Sequence, residues 1–222
     1  MKDIDTLLDL PYTRLRWIDA GTFLFQDKVQ ITFEKGFYAG CYLVTQELYE
    51  KVTGENPSHF KGKHRPVERV SLDDAQQFLQ RLNEQVKLND GLQFRLPSET
   101  QWEYAARANQ HFEYSGSQKL HEVGWFKDNS NDQTMPVGFK EPNAFGLYDM
   151  SGNVREWCED NWNEDVSKAF SNGAVLKAGH TDFRVLRGGS WGYNLSHARV
   201  AVRNRNHYYN KYSNNGFRVF RY

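Results

Sequence analysis

Soft-metal and thiol redox sites are read from cysteines or histidines at short spacing, and this sequence offers no such pair. Its 2 cysteines, Cys41 and Cys158, lie far apart with no C-x-x-C, and its 7 histidines form no H-x-x-H or H-x-x-x-H pair. The residues left to act are polar and aromatic, and they gather near the C-terminus. Gly192-Tyr-Asn-Leu-Ser-His197 and Val202-Arg-Asn-Arg-Asn-His-Tyr-Tyr-Asn210 stand between two stiff words, Arg187-Gly-Gly-Ser-Trp191 and Gly216-Phe-Arg-Val219. Tyr, Asn, Ser, Gly and His are the palette of antibody-type binding loops: tyrosine gives wide amphipathic contact at low entropy cost, the small polar residues adaptable hydrogen bonds. An ordinary polar loop also favours Asn, Ser and Gly, but has no need of Tyr193, Tyr208, Tyr209 and Tyr212. Recognition, rather than bond making, is the chemistry this pattern suggests. Arg199, Arg203 and Arg205 alternate with smaller residues as a strand would, so one-sided structural use is expected of them.

Such a surface needs a frame, and the rest of the chain reads as one. Short apolar runs at 15–18, 22–25, 29–33 and 37–44, separated by Gly and charged turns, are expected to be strands or hairpins. Thr45 is placed to cap a helix through Val52, with Gly54 ending it. Ser71 and Asp74 form a near capping box ahead of Leu72, Ala75, Phe78, Leu79, Leu82 and Val86 at helical spacing. A third helix starts at Ser98, with Gln101 completing the box and Trp102, Ala105 and Ala106 facing inward. Beyond residue 108 the pattern turns irregular, which describes an α+β domain rich in ordered coil.

Composition bounds the rest. At 222 residues, without repeats or linker-like runs, a single domain over 1–222 is expected. Lys+Arg and Asp+Glu are both 28, so no global field draws a nucleic acid or an anionic membrane. No apolar run reaches the roughly 18 residues of a membrane span, and residues 1–10 show no signal-peptide core. The compartment is undetermined. Whether Cys41 and Cys158 pair is also open; the burial habit of cysteine favours two free thiols.

Several segments taken together resemble the formylglycine-generating enzyme, or sulfatase-modifying factor, domain family. They are Val44-Thr-Gln-Glu-Leu-Tyr49, Asn56-Pro-Ser-His-Phe60, Arg65-Pro-Val-Glu-Arg-Val-Ser71, Phe94-Arg-Leu-Pro-Ser-Glu-Thr-Gln-Trp102, Pro142-Asn-Ala-Phe-Gly-Leu-Tyr-Asp-Met-Ser-Gly-Asn-Val-Arg-Glu-Trp157, Arg187-Gly-Gly-Ser-Trp191 and Gly216-Phe-Arg218. The resemblance implies a C-type-lectin-like fold, two main helices on a twisted antiparallel sheet, with the two termini in neighbouring strands. Oxidase members of the family bind copper and a substrate thiol through a cysteine pair in the segment after R-G-G-S-[WF]. This chain has Gly192-Tyr-Asn-Leu-Ser-His-Ala-Arg199 there, so neither copper nor that activity is expected. Sulfoxide-synthase relatives carry iron-binding histidines in an additional domain, and those ligands are missing too.

A second group with this domain comprises the variable proteins of diversity-generating retroelements, whose adenine-mutagenised C-terminal segment binds ligands. The segment 187–218 resembles theirs. Its ligand surface is expected at Trp191, Gly192, Tyr193, Asn194, Leu195, Ser196, His197, Val202, Asn204, Asn206, His207, Tyr208, Tyr209 and Asn210, with Tyr193, Tyr208 and Tyr209 as anchors for a protein or cell-surface ligand. Randomising both adenines of an Asn codon ending in a pyrimidine can yield every one of these from Gly192 onward, but never Lys, so Lys211 is placed outside. The resemblance further implies a structural Ca²⁺ held by the side chains of Asp149 and Glu156 and the main-chain oxygens of Gly152 and Val154, since oxygen ligands on a tight Gly turn suit a hard ion. The alternative is that these carboxylates pair with Arg155 or with an arginine of the C-terminal segment.

Overall fold

The computed structural model describes residues 3–222. Three helices begin where side-chain caps permit. Helix α1 (Gln46–Thr53) opens with the Thr45 hydroxyl accepting the Leu48 N–H and closes on Gly54, whose φ of 83° suits a residue without a Cβ. Helices α2 (Leu72–Gln85) and α3 (Glu99–Arg107) both carry complete reciprocal capping boxes, Ser71 with Asp74 and Ser98 with Gln101. α2 is amphipathic. α3 is buried from Glu99 to Ala106, so two of its carboxylates, Glu99 and Glu103, lie in the interior. A single further turn, α4 (Leu120–Val123), has no side-chain cap.

The strands form three sheets. β1 (Leu15–Ile18), β4 (Phe37–Gly40), β10 (Phe220–Arg221) and β5 (Phe94–Arg95) lie in the order β1-β4-β10-β5, all antiparallel. β2 (Gly21–Phe25) and β3 (Val29–Phe33) make a hairpin. The third sheet runs β8 (Arg203–His207), β7 (His180–Arg187), β6 (Arg155–Trp162), β9 (Asn215–Gly216), with β9 parallel to β6. Two expectations are corrected. The first and last strands share a sheet but flank β4 rather than pairing with each other. The run expected over 37–44 is regular strand only to Gly40, where the backbone N–H turns to the Val219 carbonyl at 2.8 Å and the carbonyl accepts from Arg218 at 2.7 Å.

Two large apolar clusters, with two smaller ones, make the core of the described residues. α1 and α2 bury Leu48, Val52, Phe78 and Leu82 against Trp157 and Phe217, and the Trp157 indole donates to the Val70 carbonyl at 3.0 Å. Trp102 of α3 anchors the other with Phe25, Phe33, Phe37 and Phe220. Cys41 and Cys158 are both buried and free. The third sheet positions the segment of interest: the chain leaves the end of β7, returns as β8 along its outer edge, and then crosses to β9 beside β6.

Candidate functional site

The C-terminal segment is fastened from beneath by buried charge. Arg187, with no exposed side-chain area, donates to Glu99 at 2.7 Å, to Glu103 at 2.8 Å and to the Val200 carbonyl at 2.6 Å, its guanidinium lying 4.9 Å over Trp102. Arg203 takes both oxygens of Glu99, at 2.6 and 2.7 Å. Glu103 also accepts from Arg107 at 2.9 Å and from the Gln26 N–H at 2.9 Å. Burial would push the Glu103 carboxyl up, but the guanidiniums of Arg187 and Arg107 outweigh it and hold it below the usual range. Between β7 and the loop, Gly189 has φ of 72°, and a Cβ there would sit 2.7 Å from the Ala198 Cα. Only glycine lets the strand turn this close to the segment it supports.

Above this frame the predicted surface is open. Asn194, Leu195, Ser196 and His197 are exposed, most of them on a 3₁₀ turn over Leu195–Ala198 with Leu195 45 % exposed; the turn's last residue, Ala198, points into the core. Tyr209 is 56 % exposed and stacks with His207, the ring centroids 5.2 Å apart. Gly192, Tyr193, Val202, Asn204, Asn206, His207 and Asn210 are partly exposed, and none of the expected ligand residues is sealed. Two of them do more holding than facing outward. Trp191 donates its indole N–H to the Ser213 carbonyl at 2.9 Å and meets Phe60 edge-on, bracing one loop against the other. Tyr208, half-buried, packs partly against the first core, and its carbonyl accepts the Leu72 N–H at 2.8 Å, which ties its backbone to the start of α2.

A cleft of about 470 Å³ opens between the two loops. Of the predicted residues it gathers Trp191, Gly192, Tyr193 and Asn206; its other walls come from Tyr212, Ser213, Asn214, Arg155, Arg205 and Asp132, none of which had been assigned to the site. The signal for three of these was present. Tyr212, Ser213 and Asn214 are all reachable from adenine-containing Asn codons, but lie beyond Lys211, which ion-pairs with Asp74 at the start of α2, 2.8 Å away. Lys211 thus ties this stretch to α2, and residues on its far side still line the cleft. Arg203 and Arg205 serve one face as expected, both lying over Trp162 at 4.6 and 5.3 Å, with Arg205 paired to Glu164 at 2.6 Å. Arg199 pairs with Glu113 at 2.5 Å.

Of the residues expected to hold calcium, Glu156 has its carboxylate taken by an arginine. Glu156 is buried, and both of its oxygens accept from Arg218, at 3.0 and 3.1 Å; that guanidinium also donates to the carbonyls of Gly40 and Tyr148 at 2.7 Å each. Asp149, held at φ of 58°, accepts the Gly138 N–H at 2.8 Å, while its Oδ1 has no partner; burial pushes its carboxyl up to about 6. Calcium takes six to eight oxygens at about 2.3–2.6 Å. A Glu156 already neutralised by Arg218 is not free to be one of them, so the residues as arranged do not fit the ion, and the arrangement is the alternative pairing with a C-terminal arginine. Among the described residues no three His, Cys, Asp or Glu side chains converge on a metal-sized site, and His197 and His207 stack on Tyr193 and on Phe183 and Tyr209.

Short helices on small curled sheets, joined by long ordered loops that open onto a cleft, define a C-type-lectin-like fold with an exposed loop surface. The chain belongs to the sulfatase-modifying factor enzyme 1-like domain family, which it matches over residues 4–222. Chaperone protein LppX of Paenibacillus barcinonensis is 32% identical over 214 residues, covering 74% of this chain and 72% of that protein. Among solved structures, Treponema denticola variable protein 1 superposes with a TM-score of 0.83 at 28% identity, and PvdO from Pseudomonas aeruginosa with 0.81 at 27%; each covers 94% of this chain and 94% of the other. Formylglycine-generating enzymes match as well, and the chain spans about half the length of the bacterial ones, 48% and 54%. No helix among the described residues is long and apolar enough to cross a membrane.

Proposed function

We propose that this chain is a non-catalytic variable protein of a diversity-generating retroelement, binding ligands through residues 191–214 on a C-type-lectin-like frame. The observation that carries the reading is the division within one segment: Arg187, Arg203 and Gly189 are tied down, whereas the Tyr, Asn, Ser and His side chains between them remain open. Side chains that face solvent away from the core can change without unfolding what lies beneath, at a typical cost within about 0.5 kcal/mol each. The likeness to a protein named for its variability supports it. So does the absence of cysteine after Arg187-Gly-Gly-Ser-Trp191, where the oxidase members of the family carry their pair. The chaperone name of LppX favours a polypeptide as the ligand. Calcium, implied by the family resemblance, is no part of the reading, because Arg218 occupies both oxygens of Glu156.

The test is the coding locus. The proposal expects a near-copy repeat of the stretch encoding residues 187–218, differing only at adenines, with a reverse transcriptase gene beside it. A locus with neither defeats the retroelement assignment. Copper-dependent oxygen consumption with a cysteine-containing peptide would instead return the chain to the oxidases.

A further inference from the structure

Arg155 is the first residue of β6, directly opposite Asn215 of β9, and its side chain reaches the cleft from below. Four arginines are buried, and three of them meet a carboxylate: Arg187 with Glu99 and Glu103, Arg218 with Glu156, Arg221 with Asp90. Arg155 meets none among the described residues. Its Nε donates to the Asn215 side-chain oxygen at 3.0 Å and its Nη2 to that of Asn214 at 3.1 Å, and its guanidinium lies 5.1 Å from the centre of the Tyr193 ring. Both of these partners are neutral amide oxygens. Burial pulls its pKa below the ordinary guanidinium range, the expected consequence of a cation withdrawn from water without a counter-charge. The one carboxylate lining the cleft, Asp132, is exposed and beyond ion-pair distance, and Glu164 nearby is taken by Arg205.

A buried guanidinium lacking an anion is costly unless something arrives to complete it. We propose that Arg155 is a fixed carboxylate-binding point in the floor of the cleft, so that polypeptide ligands of this surface present an Asp or Glu side chain to it. The inference rests on the reading of the cleft as the ligand site. It adds a constant element beneath the variable ones: residue 155 lies outside the segment 187–218, so mutagenesis of that segment changes the rim around the charge but never the charge. Guanidinium suits this task, since its planar fork holds carboxylates directionally and stays ionised even when partly desolvated. Every variant of the surface then shares one preference, an acidic group at the centre of its epitope, and differs in what it accepts around that group.

The experiment titrates the full chain with the tripeptide acetyl-Gly-Glu-Gly-amide, its Gln counterpart and N-acetylneuraminic acid at fixed ionic strength. The readout is the NMR signal of the Trp191 indole, which lines the cleft. The Glu peptide is expected to saturate the signal at least about tenfold more tightly than the Gln peptide, as befits a charge-assisted bond, and Arg155→Gln is expected to erase the difference. Equal behaviour of the two peptides overturns the proposal, as does a difference that survives in Arg155→Gln. Saturation by N-acetylneuraminic acid without response to the Glu peptide overturns it too, since the carboxylate would then belong to a glycan. The wild-type peptide comparison needs no variant to fold, and it is independent of the locus, so either idea can fail alone.

Discussion

Arg187 is the residue on which the segment hangs, because it joins the end of β7 to two carboxylates of α3 and to the backbone at Val200. Removing one member of such a buried group leaves the others charged and unpaired, at a cost of about 3–5 kcal/mol. Glu103→Gln should therefore destabilise the chain by several kcal/mol in urea unfolding, while Asn194→Ala and Ser196→Ala should stay within about 0.5 kcal/mol, as suits exposed positions. Equal losses at all three would mean that the frame and the surface are not separate. Arg218 invites a second measurement at this scale. With its guanidinium neutralising Glu156, excess calcium and excess EDTA should give the same Tm, since an ion that does not bind the folded state cannot stabilise it. A saturable rise of Tm with calcium would put the metal back at Asp149 and move Arg218 away.

At the scale of elements, what was readable in the sequence was whatever local chemistry decides. α1, α2 and α3 begin at Thr45, Ser71 and Ser98 because a side-chain oxygen there satisfies N–H groups of the first turn, and that signal is written in three or four adjacent residues. β6 left no such mark. It is buried on both faces from Arg155 to Cys158, so it lacks the alternation that betrays a half-exposed strand, and its first residues read as part of an ion loop. The pairing of Glu156 with Arg218, 62 positions apart, and the placing of Arg155 beneath Tyr193 are products of tertiary packing that no local window contains. The polar and aromatic surface was legible in composition, and the cleft reaches past the boundary expected at Lys211, since Tyr212, Ser213 and Asn214 beyond it also line the walls. Comparison of the two copies of the coding repeat should show adenine differences through residue 214 with an unchanged Lys211 codon. Copies identical from 211 onward would restore the shorter boundary.

For the whole molecule, the account is one of separation. Two apolar clusters and a set of buried arginine–carboxylate contacts determine the backbone of residues 187–218, while the side chains that face solvent there contribute little to holding it. A lectin-like fold lends itself to this because long loops, not regular elements, make its open face, and their backbone is satisfied by fixed partners such as the Trp191 indole, which donates to the Ser213 carbonyl. The most direct test is a displayed library in which Gly192, Tyr193, Asn194, Leu195, Ser196, His197, Asn204, Asn206, Tyr209 and Asn210 are randomised together from adenine-containing codons, with protease resistance reporting the folded fraction. The account predicts that most members resist protease as the parent does, whereas a matched library at Arg187, Gly189 and Arg203 collapses. If the surface library unfolds as widely as the frame library, these side chains hold the fold together, and the claim that they are free to vary is contradicted.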